Sequence, residues 1–347
     1  MKRIIFPLLL AGLLAGCGDN TDKPKESQSA DTFAFDSSAL KTVPLAADEI
    51  KDVSLAYELA PGTKFRYRLT SITEDKQSIV ADTTISQTVL QTMSYLIDAE
   101  IKEVDQSKVF EVELKFAQIG VNADVNGNKV TYRSGTKLDS ADKEKYTEYE
   151  AMINTPFSAR VDRYGEILEI LRADRIANKA LEMRGYQDSL SSVEKKNYQL
   201  DLIEGALKPV VNQIFRKLTD RKVSKDSTWQ MLQQPVELPI FRLNNLHQYK
   251  VTGFEKYNEN KIAVIDVELI SNIVVSPEAK RNGVTVTKPS YSGTGKFYFN
   301  VDKKLFQKVT TRTDLHLTME MMAPTPSGMR KVKRIQNAVT RNILELL

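Results

Sequence analysis

The sequence predicts an α+β fold: two similar antiparallel curved β-units, joined and covered by a helical segment. Three observations carry that expectation. Apolar residues alternate with polar ones from Gly62 to about Leu171 and again from about Asp226 to Ile343, the period of strands with one wet face. Between these stretches the apolar spacing changes to three and four, which is the period of a helix. The chain has 347 residues and is 41% hydrophobic, enough to bury a sizeable core. With only 15 Gly and 12 Pro, it is neither collagen-like nor a low-complexity disordered chain. Its single Cys rules out an intramolecular disulfide framework and a cysteine zinc cluster. A formal charge of +4, spread evenly along the chain, argues against a nucleic-acid partner, which requires a concentrated basic face.

The first β-unit is expected over residues 46–171. Phe65, Tyr67 and Leu69 alternate with Lys64, Arg66 and Arg68, and similar alternation recurs at Ile97-Ala99-Ile101 and from Val109 to Leu114. Asn126-Gly127, set between Val121–Val125 and Lys129–Tyr132, predicts a type I′ hairpin, because both residues tolerate the positive φ such a turn requires. Asp124, Asn126 and Asn128 imitate the start of a calcium loop. Lys129 stands where that loop needs glycine and no closing Glu follows, so these residues read as turn chemistry. A short helix follows from about Asp139 to Ile153, ending before Pro156. The strand from Phe157 to Leu171 then turns at Asp162-Arg163-Tyr164-Gly165.

Residues 172–225 form the expected helical connector. Ser191-Ser192-Val193-Glu194 has the spacing of a capping box. Leu200, Ile203, Leu207, Val210, Ile214 and Leu218 make one apolar stripe, which Pro209 should kink by removing a backbone donor. The second β-unit is expected over residues 226–347. Its strands are Thr228-Trp229, 248–257, 261–275, 296–301, 305–321 and 329–343, with Asn258-Glu259-Asn260 as a tight connection.

The N-terminus reads as an address. Lys2 and Arg3 precede an apolar run from Ile4 to Leu14, which is too short for the ~30 Å hydrocarbon core of a bilayer and is ordered like a secretory signal. Leu14, Ala15 and Gly16 before Cys17 resemble the lipobox of bacterial lipoproteins. The resemblance implies removal of residues 1–16 and acylation (palmitate-type) of Cys17, which then becomes the membrane anchor. Two or three acyl chains hold firmly where one holds weakly, at about 0.8 kcal/mol per buried methylene. Gly18 after the Cys, with Asp19 one place later, favours the outer membrane facing the periplasm. Removing residues 1–16 takes away Lys2 and Arg3 and no acid, so the mature chain is nearly neutral. Residues 17–45 are polar and read as an acylated Cys with a flexible tether, on which Phe33 and Phe35 can dock.

The two β-units also resemble each other. Ile101-Lys102-Glu103-Val104 before Lys108-Val109 parallels Phe254-Glu255-Lys256-Tyr257 before Lys261-Ile262. Val161-Asp162-Arg163 parallels Val301-Asp302-Lys303. Together with the Gly62-x-x-Phe65-x-Tyr67 opening, the turn ending at Gly165 and the second opening from Asp226 to Trp229, the pattern is similar to a family of bacterial envelope lipoproteins carrying a domain of unknown function. At the second opening Lys225 replaces the usual glycine and Thr228 is inserted. The resemblance implies an envelope location and a tandem β-rich fold, and it brings no catalytic residues.

Chemistry-bearing motifs are scarce. His247 and His316 lie far apart without ligand spacing, and neither a nucleophile elbow nor a phosphate loop survives inspection of its flanks. No catalytic residue, metal site or cofactor is therefore assigned. Acids such as Glu111, Glu113, Asp266 and Glu268 suit solvated strand faces better than a glycosidase pair. Trp229, Met319, Met321, Leu207 and Ile214 are weak candidates for contact with a hydrophobic, lipid-like ligand. The expected function is a non-enzymatic, membrane-anchored envelope lipoprotein that binds such a ligand or acts as a scaffold. The alternatives are a subunit of a multi-protein envelope complex and, less favoured, a carboxylate-dependent hydrolase. Cys17→Ser should abolish the thioether-linked lipid and shift the protein to the soluble fraction; lipid-labelled variant protein in the membrane pellet would remove the lipobox reading.

Overall fold

The computed structural model describes residues 33–46, 50–237, 240–325 and 328–347. The segment 1–16, with its lipobox residues Leu14, Ala15 and Gly16, and Cys17 lie outside these described residues. Two short strands, β1 (Val43–Pro44) and β2 (Val53–Ser54), precede the long β3 (Lys64–Val80), β4 (Thr84–Val104) and β5 (Phe110–Val125). After β6 (Asn128–Arg133) come α1 (Ser140–Lys145), α2 (Thr147–Met152), β7 (Phe157–Val161), β8 (Ile167–Leu171), α3 (Ala173–Met183), α4 (Ser192–Leu202) and α5 (Lys208–Ile214). Short β9 (Lys222–Val223), β10 (Thr228–Leu232) and β11 (Val236–Glu237) lead into β12 (Phe241–Tyr257) and β13 (Asn260–Val275). A turn of helix, α6 (Pro277–Arg281), separates these from β14 (Thr285–Asn300), β15 (Leu305–Thr325) and β16 (Gly328–Leu346).

These elements correct the predicted fold class. Strands make up 56% of the described residues and helices 17%, and 14 strands share one antiparallel sheet. The path runs β1-β12-β13-β14-β15-β16-β3-β4-β5-β7-β8, so the C-terminal β16 pairs with β3 and joins the two β-rich stretches edge to edge. The fold is β-rich and not α+β, and the helical segment does not cover it. The helices contact the sheet at β5, β7 and β8 and stop one end of it. Their limited reach follows from strand length: β4 and β15 have 21 residues each, or about 70 Å at ~3.3 Å per residue, about twice the continuous helical run 192–214 at ~1.5 Å per residue. Much of β3 and β4 escapes sequence reading because Thr, Ser and Gln occupy both faces there, which hides the period of two.

Local chemistry otherwise behaves as its residues dictate. Asn126 and Gly127 both take positive φ, and Val125 pairs with Asn128 across them. Asn258 does the same at the turn between β12 and β13. Ser191 and Glu194 form the reciprocal capping box that starts α4. At the other end of α4 the chain passes through a π-helical turn, Ile203–Leu207, directly before Pro209. A proline cannot donate to the preceding turn, and the wider turn absorbs that loss.

Directly paired residues share a face, so the register defines an inner face that carries Tyr67, Leu69, Ile97, Phe297, Val309 and Leu344. Three β-bulges fall in one row across the sheet. They place an extra residue at Ala117 opposite Leu96/Ile97, at Gln307 opposite Tyr298/Phe299, and at Thr252 opposite Val264. Each bulge bends its strand and increases the local twist, and an aligned row creases the whole sheet. Below the crease the inner face curls over an aromatic core. Tyr57 sits at its centre, with ring centroids 5.3 Å from Phe215, 6.0 Å from Phe299, 6.1 Å from Phe306 and 6.4 Å from Phe110.

The outer face is crossed by a strap. Phe33 lies on Gly120 of β5, whose missing side chain leaves the ring about 3.1 Å from where a Cβ would stand. Farther on, the buried Lys308 ammonium donates to the Asp36 carbonyl at 2.7 Å and pairs with Glu345 at 3.6 Å. Leu40 packs on Ile262, Val264 and Tyr298, and β1 pairs with the edge of β12. Residues 33–40 thus cross the strands over the back of the sheet before the chain turns into β1 alongside β12.

Gly165 tests this core. Its φ is +88°, and an added Cβ would lie 2.5 Å from the Arg216 carbonyl oxygen and 2.9 Å from the Tyr57 ring. Gly165→Ala should destabilise the protein by about 2–5 kcal/mol, from ~1–2 of left-handed strain plus ~1–3 of overpacking. Urea unfolding measures this, and an unchanged midpoint would contradict the packing described.

Candidate functional site

Two surfaces of the sheet can hold a ligand. Above the aromatic core the inner face continues as a trough. At its far end a second apolar cluster forms from Phe241 and Leu243 of β12 with Leu317 and Met319 of β15. Between the two clusters the wall consists of small or polar side chains that are half-buried: Ser71 and Thr73 of β3, Thr311 and Thr313 of β15, and Thr340 and Asn342 of β16. A buried polar network lies farther along it. The Asp75 carboxylate accepts from Gln77 at 2.6 Å and from Gln336 at 3.2 Å, and Arg334 donates to Gln77 at 2.7 Å. The network satisfies the Asp75 carboxylate and leaves the Arg334 Nε–H without an acceptor.

The floor of the trough is set by α5 and β10. Trp229 stacks on Tyr249 at 5.0 Å and 2°, and Tyr249 meets Phe297 at 6.3 Å. The Arg216 guanidinium lies 4.9 Å over the Phe297 ring, a cation–π arrangement, and donates to the Gln213 amide oxygen. Burial lowers Arg216 from 12.5 to about 10, with the nearby Tyr249 and Tyr57 acting the other way. Tyr249 is pushed up to about 12, chiefly by burial. Burial first, and the Arg216 charge second, hold His247 below its ordinary value of 6.5; His247 Nδ1 lies 3.3 Å from the Tyr249 hydroxyl.

The second surface is a groove of about 1200 Å³ on the outer face, crossing β10 and β12–β16 and bounded by the strap at Ser37. Its charged lining is Lys250, Asp266, Glu268, Lys296, Arg312 and Arg341. Most of these are paired: Lys296 with Asp266 at 2.7 Å, Lys250 with Asp226 at 3.1 Å, and Arg312 with Asp314 at 2.6 Å.

The candidate residues of the sequence do not assemble in one place. Leu207 and Ile214 are fully buried in the main core, and Met319 is buried in the upper cluster. Met321 is half-buried on the inner face near the end of β15. Trp229 stands at the floor of the trough. His316 bonds Asn337 on the outer face, remote from His247. Glu111 and Glu113 face Arg172 at 3.3 and 3.6 Å, as ion-paired strand acids do. Among the described residues no group of three or more His, Cys, Asp or Glu side chains could hold a metal, and no helix is long and apolar enough to cross a membrane. Sequence reading missed Arg216. Its only local signal is a cation closing the apolar run Ile214-Phe215.

Because both perturbers of His247 disfavour its charged form, its folded pKa lies below the unfolded one. The associated stability is present above about pH 6.5 and is lost as pH falls through the folded value. In an NMR titration the His247 ring proton should give a midpoint below 6.5, and Arg216→Gln should raise it by removing the like charge. A midpoint unmoved by that substitution would show that the two groups do not sense each other.

Comparison with known proteins adds the following. No curated protein matches the sequence. Among solved structures, a lipovitellin chain from a study of lipid–protein interactions is similar at a TM-score of 0.39 and 10% identity over 84% of this chain; the chain spans a quarter of lipovitellin's length, 25%. An outer membrane channel from Pseudomonas putida F1 is similar at a TM-score of 0.18 and 8% identity, over 82% of this chain and 97% of that one. Residues 107–305, from the loop before β5 to the first residue of β15, match a family described as a family of unknown function. The chain belongs to that family, DUF6263.

Proposed function

We propose that this protein is a non-catalytic envelope lipoprotein, held by acyl chains on Cys17 at the periplasmic face of the outer membrane, that binds an elongated hydrophobic ligand in its inner trough. The observation that carries the reading is the inner face itself. It is closed at one end by aromatic packing and narrowed at the other by Phe241, Leu243, Leu317 and Met319, with small side chains along the wall between. An apolar-ended recess with a few convergent polar groups is the usual form of a small-molecule site. The strap begins, at Phe33, on the outer face, opposite the inner trough. The similarity of the two β-rich stretches fits an origin by duplication, with the joined sheet as its product.

The outer groove supports a second reading, docking of a protein partner in an envelope complex. Its length across six strands and its alternating charges suit an extended polar segment. Strand addition at the β12 edge is less suited to this role, because β1, β10 and β11 already pair there.

Native mass spectrometry of the protein purified from envelope extract should show bound species of several hundred daltons that organic extraction removes. A ligand-free spectrum would overturn the trough reading. In-cell crosslinking that returns only this chain would overturn the partner reading.

A further inference from the structure

Several buried and half-buried cations of this protein meet carboxylates. Lys308 reaches Asp36 and Glu345, Arg68 reaches Glu345 at 3.0 Å, and Arg184 pairs with Glu148. Arg216 does not, and neither do Lys179, which donates to the Ile153 carbonyl and the Thr155 hydroxyl, and Arg334, which donates to Gln77; what sets Arg216 apart is its place among the aromatic rings. No carboxylate lies within ion-pair distance of it among the described residues, and of its five N–H donors one goes to the Gln213 amide. Its Nε–H is buried without an acceptor, and so is the indole N–H of Trp229 in the same ring cluster. An uncompensated guanidinium and an unmet indole donor are both costly to bury. An anion that reaches either donor lifts part of that cost.

Resting on the trough reading above, we propose that Arg216 is the anion-recognition residue at its floor. It holds the carboxylate or phosphate head of a long-chain amphiphile whose hydrocarbon lies along the inner wall. The planar guanidinium offers such a head two parallel hydrogen bonds, and the Phe297 ring beneath keeps it oriented. Trp229 Nε1 supplies a further donor. Met231 and His247, paired across β10 and β12 on the inner face, stand at the start of the chain-binding wall.

Trp229 is the only tryptophan, so its emission reports occupancy directly. The experiment titrates full-length Cys17→Ser protein with oleate, dodecyl phosphate and uncharged oleyl alcohol, each below its micellar concentration. The wild-type site should prefer the anions over the alcohol by about tenfold or more, the value of a charge-assisted hydrogen bond. Arg216→Gln should abolish that preference while leaving alcohol affinity unchanged, which also reports that the variant has folded. Arg216→Lys should retain part of it. The ratio of oleate to dodecyl phosphate affinity identifies the head group. Equal wild-type affinity for anion and alcohol, or a preference that survives in Arg216→Gln, would overturn the anion site and leave the trough intact. Failure of all three to bind would overturn the trough, and the anion site with it.

Discussion

Everything in this molecule hangs on the ring of Tyr57. Phe110 belongs to β5 and Phe299 to β14, and the path from one strand to the other passes through β4, β3, β16 and β15. Both rings nevertheless touch Tyr57, whose hydroxyl donates to the Arg216 carbonyl at 3.0 Å. A flat sheet could not bring those strands to one side chain. The sheet therefore has to curl, and the aromatic surface removed from water, at roughly 25 cal/mol per Å², is what rewards the curling. The Gly165 turn, the end of α5 and the curvature of the sheet are all set by the space around this ring.

The curl is built into the strands by one row of bulges at Ala117, Gln307 and Thr252. That row also governs the outer face. Where the inner face closes on the core, the outer face is bent to receive the strap, and the Lys308–Glu345–Arg68 ion group lies beneath it. An ion group of this kind is worth little by itself, since desolvation offsets most of the attraction. Its value lies in fixing where Asp36, and with it the strap, crosses the sheet.

Long strands have a second consequence. A core of this size closes only one end of strands of 16 to 21 residues, so more than half of the inner face has no helix against it. Such a face either aggregates or is adapted to something else. Here Ser, Thr and Asn line it, with an apolar cluster and a polar network beyond. Arg216, beside Tyr249 and His247, has no carboxylate within ion-pair distance among the described residues. A trough with an unsatisfied floor differs in kind from a core that merely failed to fill.

Much of the local structure was legible in residue chemistry. Asn126-Gly127, Ser191 with Glu194, Pro209 and the alternation at Phe65-Tyr67-Leu69 each act through neighbours a few positions away, where the physics of one turn or one strand decides the outcome. The address implied by Leu14-Ala15-Gly16-Cys17 is of the same kind, a short-range signal complete in itself. The architecture is not short-range. Thr73 hydrogen-bonds Thr340 across 267 positions, and nothing in the period of either strand specifies the other as its partner. The helices looked like a cover because a helical stripe records that a face is buried but not against what. Nothing in the sequence marks Arg216, because charge pairing is settled by which carboxylates folding brings within about 4 Å. The local pattern of the sequence thus determined the strands, turns and caps. Tertiary structure alone decided that they form one creased sheet, and that the Arg216 guanidinium within it meets an amide and an aromatic ring in place of a carboxylate.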